Sequence, residues 1–502
     1  MASIADRTVF RSTVASVIGQ SFRLGVTFIT TLLSIRWLEP EQFGFYTLIT
    51  AQISFVQYLI SCGFEHSLVY FLPKLLQEGR RGHAQSLFML AIVTTLLLGA
   101  IGMAAYAVLT IGLFPERPRI VLVASLVLFL QAAVLALGAV LSGFLRAIHA
   151  FRIVILKDFF VQPVITLGAV WVIMHWGARS VLSYSMALLF AALASNLLAA
   201  PIILRWLSPR SRASSQQVRS WLAFSVPLAV LAGAEVLFGS ICTVLLSFYA
   251  APEAVGNFGA YFRLAVMLQV VLFAVGPLST VFFVRTGQEA MKKDGSQARI
   301  HRYLIAISVL WCTWAAWQAL LFPEMSRGLL GRGYEAGLSL LYLLIPGFFA
   351  EATLGISKFL LLAHGNGRLL LLDTVGAIIL NVILAIVLIP RFGPAGAAVA
   401  FSGAQFILSV VRTLQVRLRY GLKPITGYQA FSLISGGAVL IVITVMGRET
   451  SLQSRILLDV FGTIMLVMLQ IPWVRQDFGP IRQYMPALIP FTLRPLKTRT
   501  PE

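Results

Sequence analysis

The sequence predicts an all-α polytopic membrane protein of about fourteen transmembrane helices, arranged as two six-helix lobes related by an internal repeat plus two extra C-terminal helices. Three observations lead to this fold class: long apolar segments, an internal duplication, and basic loops that alternate along the chain. The residues Ala, Val, Ile, Leu, Met, Phe, Trp, Tyr and Cys make up 58% of the chain, and charged residues only 12%. This composition excludes a soluble globular protein.

The apolar segments have the length of membrane-spanning helices. About 20 apolar residues in a helix cross the roughly 30 Å of bilayer hydrocarbon, whereas an outer-membrane barrel would show short alternating segments. The first segment is interrupted by Arg23 and lacks a convincing cleavage site, so we interpret it as a retained helix. The predicted spans are residues 9–35, 43–72, 86–113, 119–145, 153–176, 181–206, 221–249, 256–284, 303–322, 337–362, 369–389, 395–418, 428–447 and 456–474.

The first half of the chain is repeated in the second. The turn Pro40-Glu41-x-x-Gly44 returns 212 positions later as Pro252-Glu253-x-x-Gly256. A second match, at an offset near 215, joins Phe144-Leu145-x-x-x-His149 to Phe359-Leu360-x-x-x-His364. Duplicated sets of apolar helices are typical of transporters built from two lobes.

The repeat and the polar connector 205–220 together predict the domain boundaries. We expect an N-terminal six-helix lobe at 1–210 and a C-terminal six-helix lobe at 211–424. Two additional transmembrane helices at 425–475 and a cytoplasmic tail at 476–502 would follow.

Basic residues fall on alternate loops, although the net charge of +20 by itself is compatible with a nucleic-acid partner. With a cytoplasmic N-terminus, 27 Lys and Arg residues, Lys157 and Arg412 among them, lie on the inner side and nine on the outer side. By the positive-inside rule, this asymmetry predicts that both termini are cytoplasmic. The basic charge therefore indicates topology and contact with anionic lipids, and no nucleic-acid partner is expected.

Some charged residues lie inside the predicted spans, where insertion costs about 2.5 to 3.5 kcal/mol each. Arg23 lies near the centre of span 1, and a shift of 212 positions places it on Glu235 in the middle of span 7. If these two spans face each other across a cleft, the two side chains either pair or line it; a buried contact without a ligand role is the alternative. Arg263 lies about 10 Å deep in span 8, and we expect it to line a cavity.

Further charged residues lie in spans 2, 5, 10 and 11. Glu351 and Lys358 are seven positions apart on span 10 and share a helical face. Glu65 in span 2 either titrates or contacts a neighbouring helix. Asp158 and Asp373 lie near the inner interface, where we expect them to be solvated.

No enzyme signature accompanies these residues. The sequence has no P-loop, no GxSxG and no HExxH motif, its six His residues are scattered, and its three Cys residues lack metal-ligand spacing. We therefore predict no catalytic residue, no metal site and no cofactor, and an ATP-driven pump is disfavoured.

Three segments resemble a known family. They are RWLEPEQFGFY (Arg36–Tyr46), LVYFLPKLLQEG (Leu68–Gly79) and NVILAIVLIPRFGPAGAA (Asn381–Ala398). They resemble the Wzx-type polysaccharide flippases of the MOP superfamily, which also contains the MATE drug exporters and the lipid II flippases, and the resemblance covers about residues 5 to 475.

The resemblance implies both a fold and a function. The fold would be that of the MOP flippases, in the bacterial inner membrane. The function would be movement of an undecaprenyl-diphosphate-linked oligosaccharide to the outer leaflet for O-antigen, capsule or exopolysaccharide synthesis. The implied partners are this lipid-linked oligosaccharide, membrane lipids, a polysaccharide polymerase and a chain-length regulator.

The resemblance also implies site residues, because the family has a cationic cleft. It favours Arg23, Arg263 and Lys358 as substrate-binding residues. The carboxylate of Glu235 departs from a purely cationic cleft. The three glutamates Glu65, Glu235 and Glu351 are candidates for pairing within the cleft, or for coupling transport to protons or sodium.

Other functions stay open at this point. A lipid II flippase or an ion-coupled drug antiporter would use the same scaffold, although the MATE exporters usually have twelve spans. A membrane polysaccharide polymerase or acyltransferase is an alternative of another class. Such enzymes usually need a large outer loop or a catalytic His, and the longest outer loop, about residues 323–336, offers neither.

Overall fold

The structure is a computed structural model of the chain. It describes residues 2–113, 118–204, 206, 215–269 and 337–421, and single residues at 272, 330, 331, 333, 334, 454, 457, 461, 464 and 468. In α1, the first helix, side chains are described from Gly19 onward. Predicted spans 9 and 13, most of span 14, the end of span 8, the segment 207–214 at the expected lobe boundary and the C-terminal tail lie outside the described residues.

The described chain is a succession of helices. In order they are α1 (Ala2–Trp37), α2 (Pro40–Ser61), α3 (Phe64–Gln77), α4 (Arg81–Leu113), α5 (Arg119–Ala147), α6 (Phe151–Val154), a π-helix (Ile155–Val161), α7 (Gln162–Trp176), α8 (Val181–Leu197), α9 (Ala200–Leu204), α10 (Ser215–Leu246), α11 (Pro252–Val266), a 3-10 turn (Met267–Gln269), α12 (Leu338–Leu354), α13 (Ile356–Ala363), α14 (Gly367–Phe392) and α15 (Pro394–Tyr420).

These helices follow the predicted spans. Among the described residues, seven helical segments are long and apolar enough to cross a membrane, and an eighth is formed if the bent pair α12 and α13 counts as one span. Two spans are broken: α2 and α3 meet at Cys62 and Gly63, which both have positive φ, and α12 and α13 meet at Gly355 with a bend of 42°. The prediction of an all-helical, multi-pass membrane protein is confirmed.

The two copies of the Pro-Glu-x-x-Gly motif begin equivalent helices. Pro40 is the first residue of α2 and Pro252 the first residue of α11, a position where the missing N–H of proline costs no hydrogen bond. The preceding residues, Glu39 and Ala251, have nearly the same extended backbone, with φ of −64° and −63°. The duplication seen in the sequence is therefore a duplication of local structure.

The two copies of the motif also pack against each other. A Cβ atom at Gly44 would overlap the carbonyl oxygen of Pro252, and one at Gly256 would overlap the carbonyl oxygen of Pro40. The contact is reciprocal, and only glycine fits on either side. Because small residues let membrane helices approach closely, α2 and α11 touch backbone to backbone at this end, which the sequence predicts to be the outer one.

The largest apolar cluster joins the two halves at that end. It connects Phe43 of α2 to Phe258 of α11 and Phe401 of α15. Towards the predicted inner end, a second cluster surrounds Phe64 and Phe144 of the first half and includes Trp221 of α10. A third cluster lies within the second half and consists of Leu360, Leu361, Leu370 and Val416. The described halves are thus in contact at both ends, most extensively at the predicted outer one.

One side of the interface between the halves is closed along its length. Phe64 of α3 stacks on Trp221 of α10 with ring centroids 4.4 Å apart, and Tyr70 stacks on Phe224 at 5.0 Å. On the opposite side α1 packs on the π-helix and α7 of its own half, and a cavity separates it from α11. The α1 side is where the two halves stand apart.

Candidate substrate cleft

A cavity of about 370 Å³ lies between α1 and α2 of the first half and α10 and α11 of the second. Among the described residues of its wall, seven are Ser or Thr and Arg263 is the one charged residue. Leu24 and Phe28 of α1 and Val266 of α11 form apolar parts of the wall. A hydroxyl-rich cavity with one guanidinium can bind an anionic, hydroxyl-bearing ligand.

Arg263 has no carboxylate partner in the described part of the chain. Its Nη1 donates a hydrogen bond to Thr47 Oγ1 at 3.1 Å. The guanidinium carbon lies 4.8 Å from the ring centroid of Phe43 and 5.0 Å from that of Tyr46. Two aromatic faces and a hydroxyl hold the cation without neutralising it, so it keeps its charge for a ligand in the cavity.

A second cavity, of about 350 Å³, lies within the first half of the chain. Arg23, Gln131, Asp158 and Gln162 contribute its polar wall. Thr27 and two other α1 residues line both cavities, so α1 is the partition between them. Arg23 therefore faces this adjoining chamber rather than the cavity between the halves.

The π-helix carries a buried ion pair beside this chamber. Lys157 is 2% exposed, and its Nζ lies 2.8 Å from Asp158 Oδ1. The same nitrogen donates to Ser142 Oγ at 2.9 Å and to the carbonyl oxygen of Gly138 at 3.3 Å. Arg146 approaches the other oxygen of Asp158 at 3.9 Å.

The expectation that Asp158 is solvated is wrong, because its side chain is only 14% exposed, and Lys157, counted above with the basic residues of the inner side, is buried. Both residues lie within a continuous helical stretch, because α6, the π-helix and α7 follow each other without a break. From the π-helix, the Lys157 side chain reaches α5. There Ser142 and Gly138 replace water as hydrogen-bond partners of its ammonium group. Two charged neighbours near the start of a predicted span were the signal in the sequence, and π-helical turns often mark functional positions.

Arg23 and Glu235 do not form an ion pair with each other. Glu235 Oε2 lies 2.8 Å from Lys358 Nζ, and its Oε1 lies 3.8 Å from Arg412 Nη2. Arg412 is 3% exposed and donates from Nη2 to Thr374 Oγ1 at 2.9 Å. One carboxylate of α10 thus faces two cations from α13 and α15.

Sequence reasoning missed Arg412 by counting it with the basic residues of the inner side, although the predicted span 395–418 includes it. In the structure it lies within α15, eight residues before the helix ends at Tyr420. Arg412 lies three and seven positions after Ser409 and Gln405, both buried, so the helical period places it on the same inward face. That period was the signal in the sequence.

The remaining predicted carboxylates are buried with few partners. Glu351 is 8% exposed at the bend between α12 and α13, and its Oε2 accepts hydrogen bonds from Gln405 at 2.6 Å and Ser409 at 3.1 Å. Glu65 Oε1 lies 3.9 Å from His66, and its Oε2 has no hydrogen-bond partner in the described structure. Burying an ionised carboxylate without a counter-ion is costly, so both are candidates for taking up a cation.

A loop residue adds a hydrogen bond across the closed end. Tyr334 donates to the carbonyl oxygen of Leu38 at 3.2 Å, and Tyr261 donates to the carbonyl oxygen of Tyr334 at 2.9 Å. We expect Tyr334→Phe to weaken the closed end by about 0.5–1.5 kcal/mol, the net value of one hydrogen bond. The closed population should then fall roughly two- to tenfold relative to the open one.

The change in the ratio of closed to open protein can be measured by the accessibility of position 240, because Ser240 lines the cavity between the halves. In a protein without its native cysteines, Ser240→Cys should react faster with an impermeant thiol reagent added outside when Tyr334→Phe is present. Tyr342→Phe, at a tyrosine that is 36% exposed, is the control. Equal labelling rates in the Tyr334→Phe protein and its parent would contradict the prediction.

Comparison with known proteins supports the same fold. The sequence model of a family described as polysaccharide biosynthesis protein matches residues 9–282. No relative of curated function matches the chain. Among solved structures, the inward-facing conformation of a multidrug resistance MATE family transporter of the MOP superfamily has a TM-score of 0.68 and 15% identity, covering 81% of this chain and 99% of that one.

Two further solved structures extend this result. A MOP superfamily transporter from Pyrococcus furiosus has a TM-score of 0.62 and 15% identity, covering 83% of this chain and 97% of that one. The lipid II flippase MurJ, in an inward closed conformation, has a TM-score of 0.62 and 14% identity, covering 93% of this chain and 99% of that one. At such identities the similarity shows the fold, and the expected MOP superfamily fold is confirmed.

Proposed function

The chain belongs to the polysaccharide biosynthesis protein family, and from this premise we propose that it moves an undecaprenyl-diphosphate-linked oligosaccharide from the inner to the outer leaflet of the bacterial inner membrane. Family and fold are those of a transporter rather than an enzyme. The observation that carries the proposal is the hydroxyl-rich cavity between the halves, with Arg263 in its wall and no carboxylate paired with it in the described structure.

The cavity offers a place for each part of such a substrate. A guanidinium binds phosphate oxygens in a bidentate geometry, so Arg263 can bind the diphosphate. The Ser and Thr hydroxyls can form hydrogen bonds with sugar hydroxyls. If this cavity opens to the bilayer between α1 and α11, a polyprenyl chain can stay in the bilayer while its head group enters. Arg23 in the adjoining chamber and Lys358 in the second half are the further cations that we propose for substrate binding.

Alternating access follows from the way the halves meet. We assign the two halves to lobes at 1–210 and 211–424; their described parts are in contact where the two Pro-Glu-x-x-Gly turns touch, and a cavity lies between them on the α1 side. With both termini cytoplasmic, the closed end is the outer one and the substrate enters from inside. Opening between α2 and α11 would then release it outward. The helices at 425–475 and the tail at 476–502 complete the proposed arrangement, and a polymerase and a chain-length regulator would receive the product.

The membrane potential favours this direction. A diphosphate carries about two negative charges, and moving them outward against an inside-negative potential of about 100 mV releases roughly 4 to 5 kcal/mol, at about 2.3 kcal/mol for each charge. The membrane potential alone is therefore sufficient to favour outward movement of the diphosphate.

An ion-coupled exporter or a lipid II flippase on the same scaffold is the second candidate. The buried carboxylates Glu65 and Glu351 favour ion coupling, because each can take up a proton or a metal cation as the halves move. Arg263, in contrast, disfavours a cationic drug as cargo. Drug sensitivity after deletion of the gene would indicate an antiporter, whereas an essential gene would indicate lipid II as the substrate.

Substitution of Arg263 tests the proposed function. We expect Arg263→Ala to reduce export of surface polysaccharide roughly 10- to 100-fold, since hydrogen bonds to a charged group contribute about 1.5–3 kcal/mol. Export would be measured in cells lacking the chromosomal gene, with the level of membrane-inserted protein determined in parallel. Arg263→Lys keeps the charge but loses the two-pronged geometry, so it should restore only part of the export.

The matched control is Arg391→Ala, at an exposed arginine near the end of α14 and outside both cavities. It should export normally. Wild-type export by the Arg263→Ala protein, at normal protein level, would remove Arg263 from the substrate site.

A further inference from the structure

The second half holds a carboxylate between two cations at its border with the first half. Glu235 lies 2.8 Å from Lys358 and 3.8 Å from Arg412. The side chains of Glu235 and Lys358 are 31% and 23% exposed, whereas that of Arg412 is 3% exposed. The carboxylate and the ammonium are therefore partly exposed, whereas the guanidinium is buried.

The neighbours of this group lie in the first half of the chain. A Cβ atom built at Gly233 of α10, two residues before Glu235, would lie 3.3 Å from the ring of Phe55 and 3.8 Å from the Cβ of Tyr58, both in α2. α2 packs along α10, the helix that carries Glu235. The group of Glu235, Lys358 and Arg412 thus faces the same interface as the proposed substrate cleft.

The charges of the group do not cancel. One carboxylate faces two cations, and the Nε of Arg412 is buried with no hydrogen-bond partner in the described structure. A diphosphate, with about two negative charges and several acceptor oxygens, would satisfy both cations better than the single carboxylate does. Asp373 in the same half forms no ion pair in the described structure: its Oδ1 accepts from Gln415 at 2.7 Å and its Oδ2 is buried without a hydrogen-bond partner, so the expectation that it is solvated is wrong.

We propose that Glu235 is an internal substitute for the substrate's diphosphate, which displaces it from Lys358 and Arg412 on binding. This inference rests on the proposed function and deepens it. In the empty protein the carboxylate neutralises cations that would otherwise be costly to hold within the membrane. Its competition with the ligand also weakens binding, and its return to the two cations helps to expel the substrate on the outer side.

Direct binding of a sugar-free diphosphate tests this inference. The probe is farnesyl diphosphate, titrated onto the purified full-length protein in lipid nanodiscs, with inorganic pyrophosphate in a parallel series. We expect Glu235→Gln to tighten farnesyl diphosphate binding at least fivefold, because the amide keeps the shape but no longer competes as an anion. Lys358→Met should weaken binding at least tenfold, and the control Asp373→Asn should stay within twofold of the wild type.

A second variant covers the case in which Glu235→Gln does not fold. Glu235→Asp keeps the charge but shortens the reach to Lys358 by one methylene group, so it should also tighten binding, by a smaller factor. Thermal unfolding of each variant identifies the folded ones. Binding to both folded variants that is equal to or weaker than wild-type binding would overturn the inference.

The outcomes separate this inference from the proposed function. Wild-type binding of farnesyl diphosphate without tightening in the Glu235 variants contradicts only the substitute role of Glu235. Failure of the wild type to bind either farnesyl diphosphate or pyrophosphate contradicts the proposed diphosphate cleft, and the role of Glu235 with it. Tightening for both probes identifies the diphosphate group, rather than the lipid chain, as the group that displaces the carboxylate.

Discussion

Gly44→Leu is expected to abolish export and to remove the protein from the outer-closed state. A Cβ at this position overlaps the carbonyl oxygen of Pro252, a backbone atom that cannot rotate away. Overpacking of this kind costs up to about 3 kcal/mol, which shifts an equilibrium roughly a hundredfold. Because the contact is reciprocal, Gly256→Leu should have the same effect through the carbonyl oxygen of Pro40.

The distance between the two motif copies provides the measurement. Spin labels on cysteines at the exposed positions 39 and 251, in a protein without its native cysteines, report the separation of α2 and α11 by pulsed electron paramagnetic resonance. We expect a short distance in the parent protein and a longer one in the Gly44→Leu variant. Gly376→Leu is the matched control, since no atom lies within 4 Å of a Cβ built at that glycine. Unchanged distances and normal export in the Gly44→Leu protein would show that the contact does not govern access.

Asp158→Ala is expected to destabilise the protein by about 3–5 kcal/mol. Removal of the carboxylate leaves the ammonium of Lys157 charged, 2% exposed and without its ion-pair partner. Removing one partner of a buried ion pair costs more than replacing both, because the remaining charge stays buried and uncompensated. The double variant Lys157→Met with Asp158→Ala removes both charges and should recover most of the loss. Chemical unfolding in detergent, followed by the helical signal in circular dichroism, measures each free energy.

An exposed ion pair of the same chain is the control. Glu78 lies 3.3 Å from Arg80, and their side chains are 40% and 56% exposed. Solvent screens such a pair, so Glu78→Ala should cost no more than about 1 kcal/mol. A cost for Asp158→Ala as small as that for Glu78→Ala would mean that water reaches Lys157 and that its pair with Asp158 is not a buried element of the first half.

The helices and the internal duplication could be predicted from the amino-acid sequence without a structure. In a bilayer each backbone group must be satisfied within its own helix, so the length and apolarity of a segment are enough to place a span. For this reason the expected and observed helices agree closely over the described residues. The equivalence of the two Pro-Glu-x-x-Gly turns could also be predicted, because the preference of proline for the first position of a helix depends only on nearby residues.

Which side chains are in contact became evident only from the packing of the helices. Glu235 pairs with Lys358 and Arg412 rather than with Arg23, although the repeat places Arg23 and Glu235 at equivalent positions. Such pairing depends on which helices are neighbours and how each is rotated about its axis, and neither is encoded in the hydrophobicity of a single segment. The contact between Gly44 and Gly256 has the same origin, because it exists only once the two halves are docked at their predicted outer ends.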